Sequence, residues 1–469
     1  MSLTDVTAAP CDPEALERAI AALEATFGDR LSRKPGIRTQ HGHTSTYMPN
    51  QPPDAVVFTR STEEVQAVVR ICAAHKVPVI PFGAGTSLEG GLNAPLGGIS
   101  VDLSGMNRII AVNAEDLDVI VEPGVTREDL NAYLRDTGLF FPIDPGANAS
   151  IGGMVSTRAS GTNAVRYGTM ADNVRNLTAV LADGSIVKTG QRAPKSSAGY
   201  DLTHLLIGAE GTLGIITEIT LRLHGIPEAM AAAICSFPGV GAACEATTLC
   251  RQAGIPIARI ELMDTGCVQA VNAHAGLGLP EQPLLLLEFH GTPAGVAEQA
   301  ELFGELAAHV GGSGFDWVER PEARSRLWKA RHELYFAMQT IVPGKRPIPN
   351  DACVPISRLA ECVTETAADI AASGLFGPIL GHVGDGNFHV ALYVDMDDAD
   401  EIARAEAMLE RLSERAIAMD GTCTGEHGIG QGKRRYMRRE HGAGVDMMAR
   451  IKRALDPDNI LNPGKILPD

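Results

Sequence analysis

The chain has no CxxC pair, and its nine cysteines are scattered and odd in number. That excludes a zinc ribbon and argues against a disulfide framework, leaving reduced, mostly buried thiols. A basic surplus is missing too. Forty Lys and Arg face 57 Asp and Glu, a formal net charge of −17, which removes nonspecific nucleic-acid binding as a function class. An acidic ligand must then be met by local cations working against the overall field. No apolar run makes a convincing membrane span, since the stretch 229–244 is cut by Pro238 and is rich in Gly and Ala. The first twenty residues lack the basic start and apolar core of a signal peptide. Cytoplasm is the expected compartment, with peripheral attachment to a membrane left open. There is no internal repeat or low-complexity tract.

What is present is long enough, at 469 residues, to require two or three domains. A first helix is expected from Pro13 to Phe27, where Leu16, Ile20, Leu23 and Phe27 recur at helical spacing. A strand, AVVFT, then leads into a helix that Ser61 and Glu64 should open as a capping box. A second apolar strand, VPVIP, runs into FGAGTSLEGG. Strands ISVDL and DVIVEP, a helix opened by Thr126 and a hairpin marked by Asp183-Gly184 complete this unit near Pro227. Inside it, residues 144–174 show almost no periodicity, and so irregular a stretch is more often functional than a linker. From about Ala229 amphipathic helices alternate with single strands. That texture suggests an antiparallel sheet with helices on one side.

PFGAGTSLEGG is not a Rossmann loop. Gly83 and Gly85 fit G-x-G-x-x-G, but the third position is Leu88, and a proline follows where a helix should begin. Successive backbone N–H groups with the hydroxyls of Thr86 and Ser87 make an anion cradle suited to a pyrophosphate.

This loop, the segment DPGANASIGGMVSTRASGTNAVRYGTMADNV and KSSAGYDLTHLLIGAEGTLGIIT together resemble the flavin-binding domain of the vanillyl-alcohol-oxidase-type FAD enzymes. The resemblance extends to GTCTGEHGIGQGK and NPGK and covers nearly the whole chain. It is closest to the branch containing D-lactate dehydrogenases (cytochrome type), glycolate oxidases and D-2-hydroxyglutarate dehydrogenases. It implies an α+β protein: a two-subdomain FAD-binding domain plus an α/β substrate (cap) domain with an antiparallel sheet. Residues 1–50 would be a helical segment packed on an FAD domain of 51–227. Residues 228–420 would form the cap domain, and 421–469 would return to the FAD domain. FAD, held noncovalently despite His41 and His43 ahead of the loop, would lie against Pro81, Phe82, Gly83, Ala84, Gly85, Thr86 and Ser87. Gly146, Ser150, Ile151, Gly152, Gly153, Ser160, Gly161, Tyr167, Gly168, Glu210, Gly211 and Ile215 would line it further on.

GHVGDGNFHV raises a separate question. With Asp385-Gly386 as the centre of a type I′ turn, His382 would face His389 on one side of a hairpin. Two imidazoles so placed either fill a polar rim or share an ion, and these residues alone leave both open. Glu426, in GTCTGEHGIG, read alone is equally a solvated carboxylate. By resemblance, His382, His389 and Glu426 match the ligands of a divalent metal, zinc or manganese, with iron sharing the same ligand types.

Arg331, in RLWKARHELYFAM, matches the family's carboxylate-binding arginine, and its guanidinium fork suits bidentate pairing. Trp328, Arg331 and Tyr335 fall on one helical stripe. Lys345 is a candidate second cation. Family members that oxidise 2-hydroxyglutarate have threonine where this chain has Tyr335, and lysine where it has Pro349, two residues before Asp351. These differences favour a small or apolar anionic 2-hydroxy acid such as D-lactate. His427 is the expected base for the hydroxyl proton, and Asn387 a hydrogen-bonding partner of the substrate. The electron acceptor would be a quinone, a cytochrome or an electron-transfer flavoprotein, and a homodimer is left open. Glycolate or D-2-hydroxyglutarate oxidation is the nearest alternative. A flavin-free non-haem iron oxygenase and a binding protein are more remote.

Overall fold

The computed structural model describes residues 11–44 and 46–468, without the side chains of Ala330, His332, Tyr335 and Gln339. The chain divides into two units. One contains the residues up to Ser160, Thr169–Gly225 and the segment from Glu426 onward; the other contains Gly161–Gly168 and Ile226–Gly425.

In the first unit the strands Ala55–Phe58, Ile99–Asp102 and Val79–Phe82 run parallel, and Leu31–Ser32 adds an antiparallel edge. Parallel neighbours need crossovers, and the helix Thr62–His75 supplies one. It buries Val65, Val68, Val69 and Cys72, the spacing of a single apolar stripe. Ser61 caps it by accepting the Glu64 N–H at 3.3 Å. The other half of the expected box differs: the Glu64 carboxylate accepts the Arg60 N–H at 2.7 Å and pairs with Arg30. A five-stranded antiparallel sheet follows, ordered Ile109–Asn113, Asp118–Val121, Ile215–Arg222, Val174–Val180, Ile186–Lys188.

The aperiodic stretch is more regular than its sequence suggests, with helices at Ile151–Thr157, Ala164–Tyr167 and Met170–Asn173. Glycine makes IGGMVST a poor helix former, so packing decides. A Cβ on Gly152 would lie 2.5 Å from Pro123 Cβ, so the glycine lets this helix lie against the chain at Pro123.

The second unit is a seven-stranded antiparallel sheet. Its order is Ser313–Val318, Ala229–Ser236, Leu284–Gly291, Arg259–Met263, Ile379–Gly381, Asn387–Val394, Arg346–Cys353. The last of these is an edge strand, which accommodates Pro347 and Pro349 without breaking the ladder. Helices cover both faces rather than one. Seven successive residues from Leu284 to His290 are buried, so both sides of that strand require a cover. The helix Pro293–His309 packs on one side. On the other, Thr265–Ala275, Pro321–His332 and Leu334–Ile341 share a core with Met263, Leu284, Leu286 and Tyr393.

Candidate functional site

Residues paired across strands, and residues two apart along one strand, share a sheet face. The register sets Arg259 opposite Glu288, Met263 opposite Leu380, Leu380 opposite His389, and His389 opposite Asp351. Arg259, Glu261, Glu288, His290, Asn387, His389 and Asp351 therefore leave the second unit's sheet on the same side. Most of them are buried, and buried charge persists only where it is paired.

Glu261 is the centre of that pairing and is fully buried. Its Oε1 accepts the His382 Nδ1–H at 2.5 Å, and its Oε2 accepts Arg331 Nε and Nη2 at 3.1 and 2.9 Å. Burial alone would raise its pKa. The neighbouring His382 and Arg331 outweigh that and hold it at about 2. This residue is not among those to which the sequence alone points. Its signal was a lone carboxylate in the strand RIELM, between positions that read as core.

His382 and His389 come together, though not as the hairpin rule predicts. His389 pairs with Leu380, and a 3-10 turn at Val383–Asp385 carries His382 out of the ladder. Their ring centroids lie 5.1 Å apart, edge to face. Because His382 uses Nδ1 on Glu261, its Nε2 is the atom that can meet a metal, the orientation a second carboxylate imposes on a ligating histidine. His382 and His389 could therefore share a divalent ion.

Arg331 closes the helix Pro321–His332, and the chain breaks at Glu333 before a second helix, Leu334–Ile341. The expected single stripe is thus divided. Trp328 is a core residue with the Arg259 guanidinium 4.7 Å over its ring. Tyr335 lies on the second helix, its side chain outside those described. The Nε/Nη2 edge of Arg331 is already on Glu261, so only its Nη1/Nη2 edge is open to a bidentate partner. Lys345 is not brought to this cluster. Its ammonium sits on Glu401 at 2.7 Å, and it precedes the strand whose first residue, Arg346, is five ladder positions from Asp351. At about 3.3 Å per residue that is on the order of 17 Å away. Asn387 donates weakly to Asp351 and Ala352, both at 3.4 Å, while its buried Oδ1 finds no partner among the described residues. In the same unit Tyr167 donates to His290 Nδ1, and His290 Nε2–H donates to Glu288, each at 2.7 Å. The group expected to face a flavin is thus also tied into the sheet face.

The first unit works through backbone. The half-buried loop after Val79–Phe82 has N–H groups at Ala84, Gly85, Thr86 and Ser87 that no described residue accepts. A Cβ on Gly83 would lie 2.3 Å from Ser150 Oγ, so the loop closes on the cap of the helix Ile151–Thr157 only with glycine there. Four unengaged N–H groups in a glycine turn suit a pyrophosphate. The N–H groups of Ile151, Gly152 and Gly153 are engaged already, by Val125, Pro123 and Ser150. His41 is buried, with its two ring nitrogens on Ile37 O and Asp102 at 2.8 and 2.9 Å, which makes it a prop beside Phe82 and a poor attachment point. Ser160 donates its hydroxyl to Glu426 at 2.8 Å. Glu210 accepts the Ile429 and Gly430 N–H groups at 2.7 and 2.8 Å. Burial raises its pKa to about 7 against those bonds and against the charge of Lys465.

Known proteins carry the same two parts. Residues 53–190 match the FAD binding domain family, and residues 226–466 match the C-terminal domain of FAD linked oxidases. A 4-ethylphenol oxidase from Gulosibacter chungangensis has the same fold, with a TM-score of 0.82 at 20% identity over 98% of this chain and 99% of that one. The fold is that of the vanillyl-alcohol-oxidase-type FAD flavoproteins, and the two family matches make the class the FAD-linked oxidases. Within it, a probable mitochondrial D-lactate dehydrogenase from Danio rerio is 51% identical over 97% of this chain and 92% of its own length. A mitochondrial D-lactate dehydrogenase [cytochrome] from Arabidopsis thaliana is 46% identical over 96% of this chain and 80% of its own. The chain belongs to the FAD-linked D-lactate dehydrogenase family. Both relatives are mitochondrial by name, which overturns the cytoplasmic expectation.

Proposed function

We propose that the protein oxidises a D-2-hydroxy acid, D-lactate or one similarly small and apolar, to the 2-oxo acid, with a divalent metal held by His382, His389 and Glu426. The observation that carries this reading is the double use of Glu261. One buried carboxylate turns His382 so that Nε2 is its ligating atom, and also holds the arginine that would bind the substrate carboxylate.

FAD, when bound, supplies the two-electron acceptor for the Cα hydride. The metal, when bound, supplies Lewis-acid polarisation of the hydroxyl. The remaining work falls to the chain. Arg331 meets the substrate carboxylate through its Nη1/Nη2 edge, fixing the acid against rotation. Asn387, whose buried Oδ1 has no partner among the described residues, hydrogen-bonds the substrate. His427, beside Glu426, takes the hydroxyl proton. The loop at Ala84–Ser87 and Gly83 binds the FAD pyrophosphate, noncovalently in keeping with the engaged ring of His41. The cytochrome in the Arabidopsis relative's name makes a cytochrome the first electron acceptor to test.

The test is anaerobic bleaching of the flavin absorbance in the purified holoenzyme. D-lactate should bleach it, while L-lactate and D-2-hydroxyglutarate should not, and EDTA should slow the reaction. Equal bleaching by D-2-hydroxyglutarate or glycolate would move the substrate assignment. Indifference to EDTA would remove the metal.

A further inference from the structure

Glu426 and His427 lie where the chain passes from one unit to the other: Gly425 ends the second, and Glu426 opens the closing segment of the first. The surrounding sequence, GTCTGEHGIG, has too much glycine to hold itself in a regular element. A buried carboxylate grips its backbone on each side. Before the dipeptide, the fully buried Asp351 accepts the Gly425 N–H at 2.6 Å and the Thr424 hydroxyl at 3.0 Å. Gly425 admits no side chain there, since a Cβ would lie 1.6 Å from Asn387 Nδ2. After the dipeptide, Glu210 accepts the N–H groups of Ile429 and Gly430, one on each oxygen. A Cβ on Gly428 would come within 2.9 Å of Glu210 Oε1.

Glu210 is itself anchored. Its own N–H donates to Ser156 O at 2.9 Å, and its carbonyl accepts Asn462 Nδ2 at 2.7 Å. Asn462 Nδ2 also donates to Gly91 O at 3.0 Å, tying the clamp to the loop proposed for the pyrophosphate. Bonds from N–H to carboxylate are the strong kind, and in a buried setting they hold a loop far better than water would.

We propose that Asp351 and Glu210 are positioning residues that set Glu426 and His427 by holding the backbone on both sides of them. This rests on reading Glu426 as a metal ligand and His427 as the base. In the holoenzyme, Asp351→Asn should weaken retention of the metal against a chelator by about 10- to 100-fold, the usual effect of removing a residue that orients a ligand. Glu210→Gln keeps the side chain's shape but puts an amide against one of the two N–H groups. It should lower kcat for D-lactate by about 10-fold, leave KM unchanged and shift the pH profile of kcat. Gly428→Ala, which keeps the carboxylate and displaces the loop, should give the same kcat loss and serves if Glu210→Gln does not hold flavin. Wild-type kcat, pH profile and metal retention in flavin-loaded variants would overturn the clamp. His382→Ala separates the two ideas: if it loses the metal while the clamp variants behave as wild type, only the clamp fails. If it keeps the metal, the underlying reading fails first.

Discussion

The first unit offers backbone, with N–H groups from Ala84 to Ser87 that no described residue accepts, where glycine lets the chain turn tightly. The second presents side chains: Glu261, His389 and Asp351 leave one face of a sheet, and Glu261 pairs there with His382 from a 3-10 turn and Arg331 from a helix. The difference has a physical origin. A pyrophosphate is recognised by many weak, similar donors, and a glycine loop supplies them without charge. A metal and a carboxylate need a few charged groups at fixed positions, and those are stable in a low-dielectric site only as a paired network.

If that contrast is right, substitutions should fail differently in the two units. The largest effect is expected for Glu261→Gln, which leaves Arg331 without its buried counter-charge. It should destabilise the protein by about 3–5 kcal/mol in urea unfolding and reduce metal retention. Next, Arg331→Lys removes the planar fork. It should lower kcat/KM for D-lactate by about 10- to 100-fold, matching the about 1.5–3 kcal/mol of hydrogen bonds to a charged group. In the first unit, Gly83→Ala forces Ser150 away. It should weaken FAD binding by about 1–3 kcal/mol, read by flavin titration, with metal content untouched. The smallest effect is expected for Lys345→Ala. The loss of its partly exposed pair with Glu401 should change stability by less than about 1 kcal/mol and leave turnover as it was.

The same contrast explains how much could be read in advance. The glycine loop was legible because Gly83 and Gly85 are constraints on the backbone, and these are written in residue type. The flavin fold came with it, by resemblance across long motifs. The two histidines were legible as residues but not in register: Asp385-Gly386 looks like a two-residue turn, yet Val383–Asp385 forms a 3-10 turn and displaces His382 from the ladder. Glu261 was invisible because its partners are 70 and 121 residues away, and only strand register brings them together. The helix Ile151–Thr157 was missed for the opposite reason. Its glycines speak against a helix locally, and the approach to Pro123 that favours one is a tertiary contact.

His382, turned by Glu261, is proposed as a ligand of a metal used in catalysis. Elemental analysis of flavin-loaded wild type and His382→Ala tests it most directly. The expected result is one equivalent of a divalent metal in the wild type, none in the variant, and a matching loss of D-lactate turnover with the flavin spectrum retained. Equal metal content and equal turnover in the two proteins would contradict it.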